Sequence, residues 1–432
     1  MKNLNKLFLL IFVATFTAVS CGDFVSETDP PISIITDEAL TTEAQVPFLE
    51  TGVLGRFSQA FDNLSVISGG LSDELQFDPD GNSLATFPTF GEIDLGDITF
   101  DNNSVDGPYA TINEARFLAD DLIRRIGEIT FEDTGVRDQA LYSANLVGGI
   151  TRFWLGTYFG LTQTTPGAPI DNSDIIPRAD LNAQAIAKFD AALAVADAAQ
   201  TKVINSLKVE IYMSVNNYSA AATVLQGNVL ESGDAPFQAL YNQQSQNAWF
   251  GQAGEGRTQL NVEQRFADYI ADEPAEANRI DIVAFTETVL TPNITYYYQG
   301  YDRTDPINIV SWQEMDLARA EILEDNPAAN VGAPGETPLS LINRVRASHN
   351  IPDFVGTVDQ AVIIEERDKE LFATGNRLLD QLRTGNFHLV GGSSSYKVPS
   401  TDQTGNTIVL VATPWQHFPI TSRERNNNPN FN

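Results

Sequence analysis

Apolar residues recur at three- and four-residue steps through much of the chain, and this periodicity is the feature that most constrains the fold. Such spacing places the residues of one stripe on a single face of an α-helix. The two longest stripes are Tyr109, Ile112, Ala115, Ala119, Leu122 and Ile126, and Ala140, Ala144, Val147, Thr151, Trp154 and Tyr158. Gly148-Gly149 lies inside the second stripe, so we expect close helix packing to compensate for the low helix propensity of glycine.

Shorter helices are predicted in pairs. Residues 205–231 read as two small-residue-rich helices joined by a turn at Asn216-Asn217. Hairpins of this kind are the unit of tetratricopeptide arrays, but the fit to the full repeat is weak, so the periodicity supports helix pairs only. Further helices are predicted at 311–325, 337–347 and 358–373. Helical periodicity therefore dominates the chain, and by itself it predicts helix pairs.

Two long stretches interrupt the helices. Residues 66–108 and 232–310 are rich in turn-forming residues and carry scattered aromatic side chains. Long loops in a compact protein are usually functional or disordered, and the aromatic residues favour ordered loops. A short strand is predicted at 408–411 within the polar C-terminal part.

The N-terminus has the pattern of a secretory signal: basic residues, an apolar run over 7–19, and small residues before Cys21. Because Cys21 directly follows Ala18-Val19-Ser20, the arrangement resembles a bacterial lipobox, whose cysteine is lipidated. The alternative is an ordinary signal peptide with an incidental cysteine. The run is too short for a transmembrane helix, which needs ~20 residues.

These features give a predicted division of the chain. We expect a signal peptide over 1–20, a lipidated acidic tether over 21–37, and a single domain over 38–432. Within that domain, we distinguish an N-terminal part (38–231), a loop-rich part (232–310) and a C-terminal part (311–432).

The charge balance excludes several functions. The chain has 57 acidic and 26 basic residues, and its formal net charge is −31. A phosphate backbone is bound by a basic face, so nucleic acid is not an expected partner, and neither is an anionic lipid surface. One cysteine and three histidines leave little material for a disulfide framework or a metal centre, so we expect neither metal nor cofactor.

No catalytic motif of a metalloprotease, an α/β-hydrolase or a nucleotide-binding enzyme occurs, so no catalytic residue is predicted. Paired carboxylates, as in glycoside hydrolases, are the one catalytic possibility left. Glu365-Glu366 is such a pair. We interpret it instead as an exposed, ion-paired helix face, in which Glu365 and Lys369 are i,i+4 partners.

Aromatic residues in the loops are more informative. Sugar rings expose apolar C–H faces that stack on flat aromatic rings, while Asp, Asn and Arg satisfy their hydroxyl groups. The candidate ligand-binding residues are Asp73, Asn82, Phe87, Phe90, Trp249, Tyr296, Tyr298 and Arg303. For each of them, the alternative is a buried side chain that anchors irregular backbone. Trp154 and Trp312 lie on helical stripes and are predicted to be core residues.

Several motifs in the C-terminal half resemble the SusD/RagB family of outer-membrane nutrient-uptake lipoproteins. They are Ile342-Asn343-Arg344-Val345-Arg346, Glu366-Arg367 with Glu370-Leu371, Gly375-Asn376-Arg377, Asp380-Gln381-Leu382-Arg383-Thr384-Gly385, Phe418-Pro419-Ile420 and Asn428-Pro429-Asn430. Thr374 and Gln381 depart from the family pattern. The charged motif residues are interpreted as structural, because they can tie helices together through charged hydrogen bonds. They are Glu366, Arg367, Glu370, Arg377, Asp380 and Arg383.

The resemblance implies an all-α, SusD-like fold, built from tetratricopeptide-like helical hairpins with long irregular loop excursions. It also implies a surface-exposed, lipid-anchored protein of the outer membrane that binds oligosaccharide without being an enzyme. Its implied partner is a TonB-dependent, SusC-like barrel. The family's ligand sites lie in variable loops, and no tryptophan occurs between residues 40 and 110, where some relatives place a stacking platform. Peptide or another nutrient as ligand, a secreted glycoside hydrolase and a purely structural adaptor remain the alternatives.

Overall fold

The computed structural model is mainly helical over the residues that it describes, 40–286, 288–290, 295–385 and 414–431. The predictions for the signal peptide, Cys21, the tether and the strand at 408–411 lie outside these residues. Among the described residues, the first seven α-helices are α1 (Val46–Leu71), α2 (Pro88–Leu95), α3 (Asn103–Ile126), α4 (Thr134–Tyr158), α5 (Arg178–Leu193), α6 (Ala198–Met213) and α7 (Tyr218–Leu225).

Seven further α-helices occur in the rest of the described chain. They are α8 (Ala248–Ala253), α9 (Gln264–Asp272), α10 (Trp312–Asp325), α11 (Pro338–Ser348), α12 (Gln360–Glu370), α13 (Arg377–Thr384) and α14 (Ser422–Asn427). Short 3₁₀ helices cover Glu43–Gln45, Pro274–Asn278 and Pro429–Phe431.

The described strands are short and pair two by two. The antiparallel pairs are β1 (Leu75–Gln76) with β6 (Asn261–Val262), β3 (Gly167–Ala168) with β4 (Ile176–Pro177), β5 (Phe237–Ala239) with β9 (Ile307–Val310), and β7 (Ile282–Thr286) with β8 (Thr295–Gln299). The parallel pair is β2 (Phe159–Gly160) with β10 (Phe418–Pro419). These pairs pin loops to the helices, and the prediction of an all-α fold with loop excursions is confirmed.

The long periodic stripes form the N-terminal helical layer. Helix α1 packs on α3 and α4, and α4 packs on α5. All twelve residues of the two predicted stripes are buried. The prediction of core positions for Trp154 and Trp312 is also confirmed, since both are buried.

The glycine pair in α4 marks a close contact between α4 and α5. A Cβ atom placed on Gly149 would lie 2.4 Å from the Phe189 ring, a separation that no real side chain could occupy. A Cβ atom on Gly148 would meet its nearest neighbour, Arg152, at 3.4 Å. The close packing expected for this pair is therefore found, and it depends on Gly149.

The predicted helical hairpin is present as α6 and α7. Asn216 takes a left-handed conformation (φ 55°) in the turn, and the Asn217 side chain accepts a hydrogen bond from the Ala220 amide at the start of α7. Helix α7 ends at Leu225, so Val229 packs into the core from the loop that follows. Helices α10 and α11 pack together in the same way, and α12 packs on α10.

The two stretches expected to be irregular contain more regular structure than predicted. Residues 66–108 include the end of α1, all of α2 and the start of α3, and residues 232–310 include α8, α9 and five strands. Helices of six to nine residues are too short to give a periodic apolar signal.

Helix α12 is not the exposed face that the sequence predicts. The expected bond from Lys369 to Glu365 is present at 2.6 Å, and Glu365 is partly exposed. Glu366, Arg367 and Asp368, however, are buried. Their charges are satisfied by residues from other segments: Arg279 bonds Glu366 at 2.7 Å, for example. Glu366 and Asp368 therefore belong to the core and are not part of a solvated surface.

The charged family motif lies in the same buried region. Arg367 donates to Asp380 at 2.8 Å, and Arg383 bonds both Asp380 and Glu321, so that α10, α12 and α13 are tied together. The Arg377 guanidinium lies 3.2 Å from the Asp368 carboxylate. The Glu370 carboxylate lies 3.4 Å from the Arg279 guanidinium. The expected charged hydrogen bonds between helices are thus present. At one departure from the family pattern, Gln381 donates to the carbonyl of Ser72.

Candidate functional site

A cleft of about 420 Å³ opens where α1 and α8 meet the N-terminal ends of α2 and α3. Its volume falls in the range of small-molecule sites, roughly 300–1,000 Å³. The residues that line it are Asn63, Val66, Ile67, Phe87, Pro88, Thr89, Phe90, Asn103, Ser104, Gly107, Pro108, Ala248 and Gln252.

The two helix starts that form one wall are fixed by their capping residues. Asn102 caps α3 by accepting hydrogen bonds from the amides of Ser104 and Val105, and its Nδ2 donates to the carbonyl of Thr89 at 2.9 Å. The hydroxyls of Thr89 and Ser104 are 2.8 Å apart. Pro88 begins α2, where a missing amide hydrogen costs nothing. The wall is therefore rigid before any ligand arrives.

Two phenylalanines form an aromatic platform in the cleft. Phe87 is 41 % exposed and stacks on the buried Phe90, with ring centroids 6.4 Å apart. The amides of Thr86 and Phe87 both donate to Oε1 of Gln259 at 3.0 Å, which fixes the backbone. The guanidinium of Arg257 lies 4.3 Å from the centroid of the Phe87 ring. An apolar ring of fixed orientation is thus available at the surface.

The polar lining of the cleft is uncharged. Its polar residues are Asn63, Thr89, Asn103, Ser104 and Gln252, and no lysine, arginine, aspartate or glutamate is among the described lining residues. Within the described part of the chain, the buried Oε1 of Gln252 has no hydrogen-bond partner. Neutral amides and hydroxyls of this kind suit a ligand that offers hydroxyl groups.

A buried carboxyl group positions part of the lining from behind. Asp62 accepts hydrogen bonds from the Ala248 amide at 2.8 Å and from the Asn63 side chain at 2.9 Å. Burial raises the pKa of Asp62 well above its ordinary value. Its contacts connect α1 to α8, so Asp62 holds two cleft-lining residues in place without facing the ligand.

Three of the predicted ligand contacts are wrong, because the side chains are fully buried. Trp249 lies in α8 and donates from Nε1 to the Ser65 hydroxyl at 2.8 Å. Tyr296 lies in β8, and its hydroxyl is 3.2 Å from Asp78. Asn82 donates to loop 258–261. Each of them is a buried anchor for its segment, which is the alternative that the sequence left open, although Trp249 and Tyr296 lie in regular elements.

The other candidates lie outside the cleft lining. Asp73 takes a left-handed conformation (φ 64°) after α1, and its carbonyl accepts from Arg265. Tyr298 is half-buried in β8 against Phe285, and Arg303 stacks over Phe250. Of the eight candidates, the structure brings only Phe87 and Phe90 into the cleft.

The sequence alone does not indicate the polar lining or Arg257. Asn63 lies on the long apolar helix α1, Gln252 on the short helix α8 and Ser104 at the start of α3. No motif marks them, because only the folded chain brings these segments together.

Neither a metal-binding cluster nor a membrane-spanning helix occurs among the described residues. No group of three or more His, Cys, Asp and Glu side chains there is arranged to hold a metal ion. Among the described helices, none combines the length and apolar character needed to cross a membrane.

Solved structures of the SusD superfamily share the fold described above. A SusD superfamily protein from Bacteroides thetaiotaomicron is 16 % identical, with a TM-score of 0.69 over 90 % of this chain and 98 % of that protein. One from Bacteroides vulgatus is 14 % identical, with a TM-score of 0.67 over 90 % and 99 % of the two chains. The chain therefore has the SusD-like fold that its motifs predict.

A third structure is that of surface glycan-binding protein A from Bacteroides thetaiotaomicron in complex with laminarihexaose. It is 13 % identical, with a TM-score of 0.63 over 91 % of this chain and 99 % of that protein. No family model and no curated protein sequence matches the chain.

Proposed function

We propose that this protein is a non-enzymatic glycan-binding lipoprotein that captures oligosaccharide in the cleft and delivers it to a TonB-dependent outer-membrane transporter. The observation that carries the proposal is the exposed Phe87 ring at the edge of a cleft with uncharged amides and hydroxyls. A sugar ring can stack its C–H face on Phe87 while the polar side chains bond its hydroxyls. The SusD-like fold and the laminarihexaose complex of one structural neighbour support this proposal.

The composition of the cleft favours binding over hydrolysis. Glycoside hydrolases place two carboxyl groups roughly 5–9.5 Å apart around the bond that they cleave. The described residues that line this cleft include no carboxylate, and Asp62 behind them is engaged by Ala248 and Asn63. The proposed role is therefore capture of an intact oligosaccharide.

Replacing Phe87 with alanine is expected to weaken glycan binding about five- to thirtyfold. The lost stacking surface is worth roughly 1–2 kcal/mol, and each 1.4 kcal/mol is a factor of ten in affinity. Affinity electrophoresis against a polysaccharide panel identifies a ligand, and calorimetry of that ligand measures the change.

Phe100→Ala is the matched control for this experiment. Phe100 is 43 % exposed, and the guanidinium of Arg425 lies 4.0 Å from the centroid of its ring, much as that of Arg257 lies near Phe87. Phe100 lies outside the cleft lining, however. Its replacement should leave glycan affinity unchanged. Equal affinities of the two variants would contradict binding at Phe87, and retention of peptides with no retention of any glycan would overturn the sugar proposal.

We further propose that a lipid on Cys21 anchors the protein at the outer-membrane surface, that 21–37 is the tether, and that 38–432 form one domain. The spacing of Cys21 after the apolar run supports the anchor. The bond from the Tyr158 hydroxyl to the Gly375 carbonyl, at 3.2 Å, joins the N- and C-terminal parts and supports the single domain.

Cys21→Ala is expected to move the protein from the membrane fraction to the soluble fraction, because no thiol remains to carry the lipid. Burial of acyl chains contributes ~0.8 kcal/mol per CH₂ group, so their loss removes the anchor entirely. Ser26→Ala, in the same tether, should stay in the membrane fraction. Fractionation followed by acyl-chain labelling checks both variants, and a Cys21→Ala protein that remains membrane-bound would show that the anchor lies elsewhere.

A further inference from the structure

Arg257 differs from the other basic residues in the described part of the chain. Nearly all lysine and arginine side chains there lie within 4 Å of a carboxylate; the exceptions are Arg178, Arg257 and Arg425. Arg178 and Arg425 are partly buried and donate to backbone carbonyls. Within the described residues, Arg257 is therefore the exposed cation that has no ion-pair partner.

This isolation is unexpected on so acidic a surface. With 57 acidic residues against 26 basic ones, an exposed guanidinium would ordinarily be close to a carboxylate. Arg257 is nevertheless held in place: it stacks over Phe87, and its Nη2 donates to the Thr86 hydroxyl at 2.6 Å. The guanidinium is thus fixed beside the aromatic platform with donors left over, since it carries five N–H groups.

The cleft beside Arg257 is free of negative side chains among its described lining residues. Elsewhere, the net charge of −31 repels an anionic ligand. A fixed guanidinium matches the geometry of a carboxylate or a sulfate and can bind either with two parallel hydrogen bonds. A single cation beside a neutral cleft would let an acidic sugar bind where the rest of the surface would reject it.

We propose that the oligosaccharide bound in this cleft carries an anionic group, a carboxylate or a sulfate ester, which Arg257 binds beside the sugar stacked on Phe87. This inference rests on the proposed glycan-binding function and narrows it to acidic glycans.

Titration calorimetry with matched probes tests the inference and separates the two sources of charge. Oligogalacturonate is compared with its methyl ester for the carboxylate, and a sulfated galactan with its desulfated form for the sulfate. At least one acidic probe should bind about tenfold more tightly than its neutral counterpart, because a charge-assisted hydrogen bond is about twice as strong as a neutral one. The preference should decrease as salt is added.

Arg257→Gln should abolish this preference, because the affinity for the acidic probe should fall about tenfold more than the affinity for its neutral form. Arg137→Gln is the control, because this substitution removes the same net charge. The Arg137 side chain is 43 % exposed on α4 and pairs with the adjacent Asp138. Both arginines are on the surface, so both variants should keep the wild-type unfolding midpoint.

Two results would overturn the inference, and they are distinguishable. If neutral glycans bind, and the acidic forms bind no better or are unaffected by Arg257→Gln, the anionic ligand is wrong while glycan binding stands. If no glycan binds, neutral or acidic, the proposed function fails as well.

Discussion

Replacing Arg383 with methionine is expected to destabilise the fold by about 3–5 kcal/mol, the usual effect of removing one partner from a buried ion pair. The side chain is almost fully buried and bonds Glu321 at 2.7 Å and Asp380 at 2.8 Å. Burial alone would raise the pKa of Asp380, but Arg367 and Arg383 outweigh it and lower that pKa to about 2. Methionine leaves the Glu321 carboxylate in the core without its cation. Urea unfolding at pH 7 measures the loss.

Arg124→Met is the matched control for a surface pair. Arg124 is 53 % exposed and bonds Asp121 and Glu128 on the same helix. Exposed helical ion pairs contribute little to stability, so this variant should unfold almost like the wild type. Adding Glu321→Gln to Arg383→Met should restore part of the lost stability, because the uncompensated charge is removed. If Arg383→Met lowers the free energy of unfolding no more than Arg124→Met does, the charged motif does not hold the helices together.

Replacing Glu74 with glutamine is expected to stabilise the protein by about 4 kcal/mol at pH 8 and to change its stability little at pH 5. Glu74 is fully buried, and only its Oε1 has a hydrogen-bond partner, the Ala373 amide. Burial, reinforced by the charge of Asp368, raises its pKa from 4.5 to about 8.

The sign of this effect follows from where the proton is held. Between pH 4.5 and 8 the folded protein keeps the Glu74 proton while the unfolded chain loses it, so this residue lowers stability as the pH rises. Glutamine resembles the protonated acid and does not titrate. The decrease in stability that Glu74 causes as the pH rises is therefore absent from the Glu74→Gln variant. Burial also raises the pKa of Glu314, to about 7, so the wild-type profile contains more than one buried acid. The informative quantity is therefore the difference between variant and wild type at each pH.

Glu128→Gln, on the surface, serves as the control and should give a profile parallel to that of the wild type. Urea unfolding at half-unit steps from pH 5 to pH 8 checks both variants. A Glu74→Gln profile that also runs parallel to the wild type would mean that Glu74 is ionised in the folded protein throughout this range.

The parts of the fold that the sequence predicts are those with a long local signal. Helices α3 and α4 each repeat their apolar positions over at least five turns, and the helical hairpin is marked by Asn216-Asn217 between two such patterns. Periodicity does not reveal what a charged residue faces, however. The acids of α12 read as a solvated surface because their arginine partners, such as Arg279, lie 87 residues away in the chain.

The site was predictable only in part, for a related reason. The aromatic content of residues 66–108 pointed to Phe87 and Phe90. The same argument selected Trp249, which is buried against Ser65, a residue 184 positions earlier. Whether an aromatic residue in a turn-rich stretch is buried or exposed depends on such distant contacts. The cleft itself combines α1, α2, α3 and α8, so its neutral lining and the isolated Arg257 become visible only in three dimensions.

A crystal structure of the protein with the oligosaccharide that binds most tightly in the panel is the most direct test of glycan binding in this cleft. We expect one sugar ring to lie parallel to Phe87, with carbon atoms within about 4.5 Å of it, and its hydroxyls to bond Asn63 or Gln252. A ligand bound elsewhere on the surface, with the cleft left empty, would contradict the assignment of the site.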